Sequence, residues 1–239
     1  MAEQQVTPKR VLLFGGGGVH PHLEACPILQ KHLEAIPGFT VDYVTEDYDA
    51  FLAERLAPYD LVVLYHTGAK LTIEQRHGLM EGIAEGKGFV GVHGATCSFE
   101  NAPEYQAMTG GLFRGHPFVR DYLVSLADHD HPITREIKGY DAKDWEKWPV
   151  YEYMVNDEQY MHDYDSRIRV LATALFRGVA WPVAWVKPWG QGKVFYLALG
   201  HHAQACEGDF FRTIFTNGAA WAVSDEKYEE KPTTRFAIS

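Results

Sequence analysis

The feature that most constrains this chain is a set of short, unbroken apolar runs at residues 11–14, 61–65, 89–92 and 194–199. Runs of this length without polar alternation read as strands buried on both faces, the condition of a parallel sheet covered by helices. Between them, Leu23, Cys26, Leu29, Leu33 and Ile36 recur at helical spacing until Pro37-Gly38 stops the pattern. A second helix is expected over residues 73–85, with Thr72 as its N-cap. Residues 39–44 alternate as a strand and residues 50–56 form a short helix. Strands alternating with helices predict parallel βαβ units. Residues 118–124 and 169–175 read as strands of an added antiparallel patch, residues 183–186 and 194–199 as two late strands, and residues 210–223 as a closing helix. With no internal repeat and no linker, one domain is expected over residues 9–223, and residues 224–239 form an extension, either solvated or lying on a neighbouring subunit.

Composition narrows the function classes. In 239 residues, 46% hydrophobic and 23% charged describe a globular chain, and a net charge of −10 with scattered acids offers no basic footprint for nucleic acid. The polar start MAEQQVTPKR and the lack of a long apolar run point to a cytoplasmic protein with no membrane contact. The 3 cysteines, Cys26, Cys97 and Cys206, have no CxxC spacing, so reduced thiols are expected rather than a disulfide framework or a cysteine-zinc cluster. The 12 histidines stand beside 13 Tyr, 13 Phe and 6 Trp, a composition suited to a polar site walled by rings.

Ligands of open parallel sheets gather at the carboxyl ends of the strands, and there the histidines fall. His20 and His22 follow the first strand, His66 follows Tyr65, His93 follows Val92, and His201 with His202 follow Leu199-Gly200. The Gly15 to Gly18 run lacks the spacing of a P-loop or of a dinucleotide fold, so no nucleotide cofactor is expected. Gly91-Val92-His93-Gly94-Ala95 has the form of a nucleophile elbow carrying histidine, suited to a general base or a metal ligand. His116-Pro117 and His131-Pro132 are either turn punctuation or polar contributors, and Asp157-Glu158 either a solvated acidic turn or an acid/base partner.

These motifs, with Phe113 to Pro117, His131-Pro132-Ile133-Thr134, Asp157-Glu158-Gln159-Tyr160, Pro182 to Trp185, and Gly190 to His201 continuing through Gly218 to Ala222, occur in an order that resembles the trehalose-utilization, ThuA-like, family over about residues 9–223. The resemblance implies an α/β fold like that of class I glutamine amidotransferases: a flavodoxin-like, doubly wound, mostly parallel sheet with helices on both faces. That superfamily carries cysteine at the elbow, where this chain has His93, so the resemblance does not extend to glutamine hydrolysis. It implies instead catabolism of trehalose and related disaccharides through 3-keto sugars.

The expected function is an enzyme acting on a keto-glycoside or related sugar by hydrolysis, elimination or isomerisation, with His93, His201, Glu158 and His116 as catalytic candidates. Gly17, His22, His66, His131, Tyr160 and His202 are candidate substrate contacts, and Trp145, Trp148, Tyr151, Tyr153 and Trp181 are candidate stacking surfaces for a sugar ring. A divalent metal such as zinc or manganese, if bound, is expected on His20, His93 and His201, because three imidazoles with an open position suit a Lewis acid. Expected partners are a small carbohydrate, a pathway sugar dehydrogenase and further copies of the chain. The alternatives are a non-catalytic sugar-binding or regulatory subunit that keeps the crevice, and a hydrolase using Cys97 or Cys206.

Overall fold

The structure, a computed structural model, describes residues 7–138 and 151–229. The chain runs β1 (Lys9–Gly16), α1 (His22–Glu34), β2 (Phe39–Thr45), a 3-10 turn (Tyr48–Phe51), α2 (Ala53–Leu56), β3 (Leu61–His66), α3 (Ile73–Ala84) and β4 (Gly88–Val92). A second 3-10 turn (His93–Cys97) leads to α4 (Pro103–Thr109), β5 (Gly111–Gly115), β6 (Arg120–Leu126), β7 (Glu152–Asp157) and β8 (Met161–Tyr164). The last part holds β9 (Arg169–Phe176), β10 (Val179–Trp189), β11 (Gly192–Leu197), α5 (Ala203–Glu207) and α6 (Asp209–Ala222).

One nine-stranded sheet, in the order β2-β1-β3-β4-β11-β10-β9-β6-β7, organises the fold. The unbroken apolar runs became its centre: every residue of β3 and β4 is buried, as are Val11 to Phe14 of β1. From β2 through β11 neighbouring strands are parallel, as the βαβ pattern requires. α1 packs against α5 and α6, while α3 packs against α2 and α4, so the helices fall into two groups. Thr72 caps α3 as expected, in a reciprocal capping box with Gln75.

The antiparallel part is larger than the sequence suggests. Beyond β11, strands β10, β9, β6 and β7 each run antiparallel to their neighbours and continue the same sheet, while β5 and β8 form a separate two-stranded ribbon. The pattern of β5, GLFRG, and β8, MHDY, is short, polar and glycine-flanked, so no hydrophobic period marks them as strands. β10 begins ahead of the expected residue 183 because its first part is an exposed hairpin arm, turned at Arg177-Gly178, both with positive φ. Its register shifts around Pro182 to Ala184, where proline has no N–H to give the ladder.

The alternating directions place the carboxyl ends of β1, β3, β4, β11 and β7 on one edge of the sheet, which holds the candidate site. At the opposite edge, residues 224–229 fold back on their own chain: Lys193 Nζ donates to the carbonyls of Ser224 and Glu226, and Arg169 donates to that of Glu229. The start of the extension is thus tied down rather than solvated, and residues 230–239 lie outside the described residues. No helix among the described residues is long and apolar enough to cross a membrane.

Candidate active site

Four side chains from distant loops converge at the carboxyl edge. His20 follows β1, His93 follows β4, Glu158 follows β7 and His201 follows β11, and one ligating atom from each lies within 4.8 Å of the others. The elbow is real in backbone terms: His93 has φ 46, a left-handed conformation uncommon for a side chain of this size, and the chain bends there from β4 into a 3-10 turn. Two hydrogen bonds hold it. His93 Nδ1 donates to the Ala198 carbonyl at 2.8 Å, and the Tyr196 hydroxyl donates to the His93 carbonyl at 2.6 Å. Glycine is required next, because a Cβ on Gly94 would lie 2.2 Å from Thr67 Oγ1 and 2.7 Å from His20 Nδ1. That close approach lets Thr67 meet His20 Nδ1 at 2.6 Å.

Behind the elbow the protons can be assigned. A carbonyl only accepts, so the Tyr196 proton is committed to His93; Thr96, 3.0 Å away, then donates to the Tyr196 oxygen. His162 Nε2, 3.0 Å from Thr96, supplies the next proton, which leaves His162 Nδ1 bare. This nitrogen is the one that is buried without a partner. Burial pushes the His162 pKa down to about 3, which keeps the ring neutral and the chain of donors directed towards His93.

At the cluster itself, imidazole nitrogens and one carboxylate face one another. With Nδ1–H given to Ala198, His93 turns Nε2 inward, 3.5 Å from Glu158 Oε2 and 3.3 Å from His201 Nδ1. His201 Nδ1 is 3.1 Å from the same carboxylate oxygen, while the other, Oε1, meets His116 Nδ1 at 2.8 Å. Burial, then the neighbouring His93 and His201, drives the His20 pKa down to about 3. Burial also lowers His201, against the pull of Glu158. Burial alone would raise Glu158, but the imidazoles of His93, His201 and His116 packed around it hold it below the ordinary carboxylate range. Neutral imidazoles and an ionised carboxylate are the forms that bind a cation. Tyr160 closes one wall, with its ring centre 4.1 Å from that of His93 and its hydroxyl 3.3 Å from His20 Nε2.

Asp157 sets the position of His201. Its buried carboxylate accepts from Gly200 N at 2.7 Å, His201 N at 3.0 Å and Glu158 N at 2.8 Å, pinning the loop after β11 to the end of β7. Adjacent carboxylates thus divide the work, Asp157 into the backbone and Glu158 into the cluster.

The family model for trehalose utilisation, ThuA, matches residues 10–222. The chain belongs to the ThuA family. Among solved structures, a ThuA-like protein from Parabacteroides merdae is similar at 21% identity and TM-score 0.78, with 93% of each chain covered. One from Bacteroides uniformis follows at 18% identity and TM-score 0.74, covering 95% of this chain and 96% of that one. A β-galactosidase from Rahnella shares the fold at 15% identity and TM-score 0.60, across 91% of this chain but 31% of its own length. No curated protein matches the sequence.

Of the residues singled out from the sequence of this ThuA family member, the structure brings together His20, His93, His116, Glu158, Tyr160 and His201. It also separates the paired histidines. His22 turns from the cluster towards Glu46, 4.0 Å away, and His202 caps α5 by accepting from Ala205 N at 3.0 Å. His66, the last residue of β3, is buried among Tyr48, Ser98 and Phe99 and stacks on the Phe99 ring. Gly17 serves loop packing: it has φ 80, a Cβ there would sit 2.0 Å from the Thr67 carbonyl, and its N–H donates to Glu46. His131 lies at the far edge of the sheet, against Trp221 near the end of α6.

Those of the expected stacking residues that are described are not at the cluster. Tyr153 stacks on Phe210, Tyr151 packs on His129, and Trp181 lies on the hairpin arm of β10, while Trp145 and Trp148 lie outside the described residues. Phe113, which packs on Tyr160, is the ring that sequence reasoning passed over, along with Thr67 and the His162–Thr96–Tyr196 relay, while Asp157, weighed as an acidic turn or an acid/base partner, binds backbone N–H groups. Burial raises Cys97 to about 12 and Cys206 further still, so neither thiol ionises readily.

Proposed function

We propose that His20, His93, Glu158 and His201 form a divalent-metal centre in an enzyme of carbohydrate catabolism that acts on a keto-glycoside or related sugar. The observation that carries the reading is the triangle of His93 Nε2, His201 Nδ1 and Glu158 Oε2, with sides of 3.3, 3.1 and 3.5 Å. Ligands about 2.0–2.1 Å from a tetrahedral zinc are separated by about 3.3 Å. Lone pairs this close repel unless protons or a cation lie among them. His93 is fixed with Nε2 inward by the Ala198 carbonyl, the outer-shell arrangement typical of ligating histidine.

A divalent ion here supplies Lewis acidity towards a carbonyl or leaving oxygen. The chain's own groups do the rest. His116, partly exposed and bonded to Glu158 Oε1, stands where a proton can pass between substrate and solvent. Tyr160 is buried behind the centre and holds it in place, with its ring on His93 and its hydroxyl at His20 Nε2. The family's link to trehalose use, and the β-galactosidase among the structural neighbours, support a carbohydrate over other polar ligands. We read the strand order β2-β1-β3-β4-β11 as the doubly wound, flavodoxin-like arrangement, with the centre at its carboxyl edge. A sugar dehydrogenase is the class of enzyme that would supply the keto group.

Elemental analysis of protein purified without tag or chelator, beside His93→Ala, tests the reading. Near-stoichiometric zinc or manganese that disappears in the variant, together with turnover of 3-keto glycosides, is expected. Protein that takes up no metal on reconstitution, or a variant that retains both metal and turnover, overturns it.

A further inference from the structure

Beside the cluster lies a concavity of about 590 Å³, lined by His116, Phe118, Arg120, Met161, Phe176 and Arg177. Its volume falls in the range of small-molecule sites. Its charge is unusual for this chain: the protein carries −10, yet this wall has two guanidinium groups and no carboxylate. Among the described residues neither Arg120 nor Arg177 has an ion-pair partner, although most other arginines do. Arg120 gives one amino group to the neutral Gln159 side chain at 2.6 Å, and its buried Nε–H has no acceptor.

Both guanidinium groups lie against one ring. The Arg120 and Arg177 guanidinium carbons lie 5.3 and 5.2 Å from the centre of Phe176, each within cation–π range. Arg177 reaches that position from a left-handed backbone, φ 51, at a hairpin turn where asparagine or glycine is the unstrained choice. Phe118 stands 85% exposed on the same wall, a large ring left in water. His116 belongs to this concavity and to the cluster at once, through its contact with Glu158 Oε1.

We propose that this concavity is a subsite for an anionic group of the substrate, a sugar carboxylate or a sugar phosphate, with the sugar ring against Phe118 and the charge between Arg120 and Arg177. The proposal rests on the cluster being the reactive centre, and His116 then joins specificity to chemistry. Paired guanidinium groups suit both carboxylate and phosphate, which the probes separate.

The test is calorimetric titration of the purified protein with glucuronate, glucose 6-phosphate and glucose, in low and high salt, for the native chain, Arg177→Asn, Arg120→Gln and His93→Ala. Asparagine tolerates the left-handed turn, so Arg177→Asn removes charge without straining the hairpin. Expected is binding of at least one anionic probe about 10-fold or more tighter than glucose, weakened by salt, with each arginine variant losing about 10-fold and metal content unchanged. Whichever anion binds tighter identifies the source. His93→Ala retains anion binding even where metal is lost, so failure of the metal centre is distinguishable from failure of the subsite. Equal affinity for all three sugars, no binding at millimolar concentrations, or arginine variants that bind as the native chain does would overturn the proposal.

Discussion

Replacing Asp157 by asparagine tests whether one buried carboxylate both stabilises the fold and positions the site. In the native chain Oδ1 accepts from Glu158 N and His201 N, and Oδ2 accepts from Gly200 N at 2.7 Å. The best orientation for an amide keeps its oxygen on the pair of donors at Oδ1. Its NH2 then faces the Gly200 N–H, donor against donor. The exchange removes one charge-assisted hydrogen bond, worth about 1.5–3 kcal/mol, weakens two more and leaves a buried N–H without an acceptor. A loss of about 2–4 kcal/mol follows, and Asp157→Ala, which orphans all three donors, should lose more. Urea denaturation at pH 7 with chelator present measures this without any contribution from bound metal. In the folded variant the Gly200-His201 loop is no longer pinned, so metal affinity should fall while β-sheet circular dichroism is kept. Stability within about 0.5 kcal/mol of the native chain, with undiminished metal affinity, would refute the reasoning.

Tyr196→Phe removes the donor to the buried His93 carbonyl and should cost about 1–3 kcal/mol in urea, with weaker metal uptake because the strained elbow relaxes. Thr96→Val should weaken uptake in the same direction by cutting the relay one step back; a metal affinity unchanged in both would dissociate the relay from the elbow. For pH, the sign follows from the buried His66, whose pKa burial lowers to about 4. The unfolded chain binds a proton near pH 6.5 that the folded chain refuses until about pH 4, so stability is full above the first value and is lost between them. The contribution is about 3 kcal/mol. A His66→Gln variant should therefore show a shallower loss between pH 7 and 4.5, and a slope identical to the native one would contradict this.

How much was legible in the sequence differs between the halves of the sheet. Strands β1, β3, β4 and β11 announced themselves because central parallel strands must be apolar on both faces. Strands β5, β7 and β8 did not, because half-exposed strands are specified by their neighbours more than by their own composition. Histidines at strand ends marked the edge where the cluster forms, but side-chain direction decided membership. His66 is the last residue of β3 and points into the ring layer with Phe99, whereas His93 is the first residue beyond β4 and its positive φ turns it into the cluster. Asp157 and Glu158 are indistinguishable as neighbouring carboxylates until the loop after β11 is seen to need an acceptor. His131 shows the limit of motif reading: a His-Pro pair at a chain reversal serves equally well at the edge opposite the cluster.

The position of β11 governs when this protein can finish folding. Its strand inserts beside β4, although the two are separated in the chain by all four antiparallel strands, α4 and the β5–β8 ribbon. During synthesis β1 to β4 can pair as they emerge, but β4 must wait with one apolar edge bare, a template for pairing with another nascent chain. Only the last quarter of the polypeptide covers that edge, and the same event delivers His201 to His93. If the proposed centre takes up a metal, that uptake reports completion of the sheet, and early truncation should appear as aggregation.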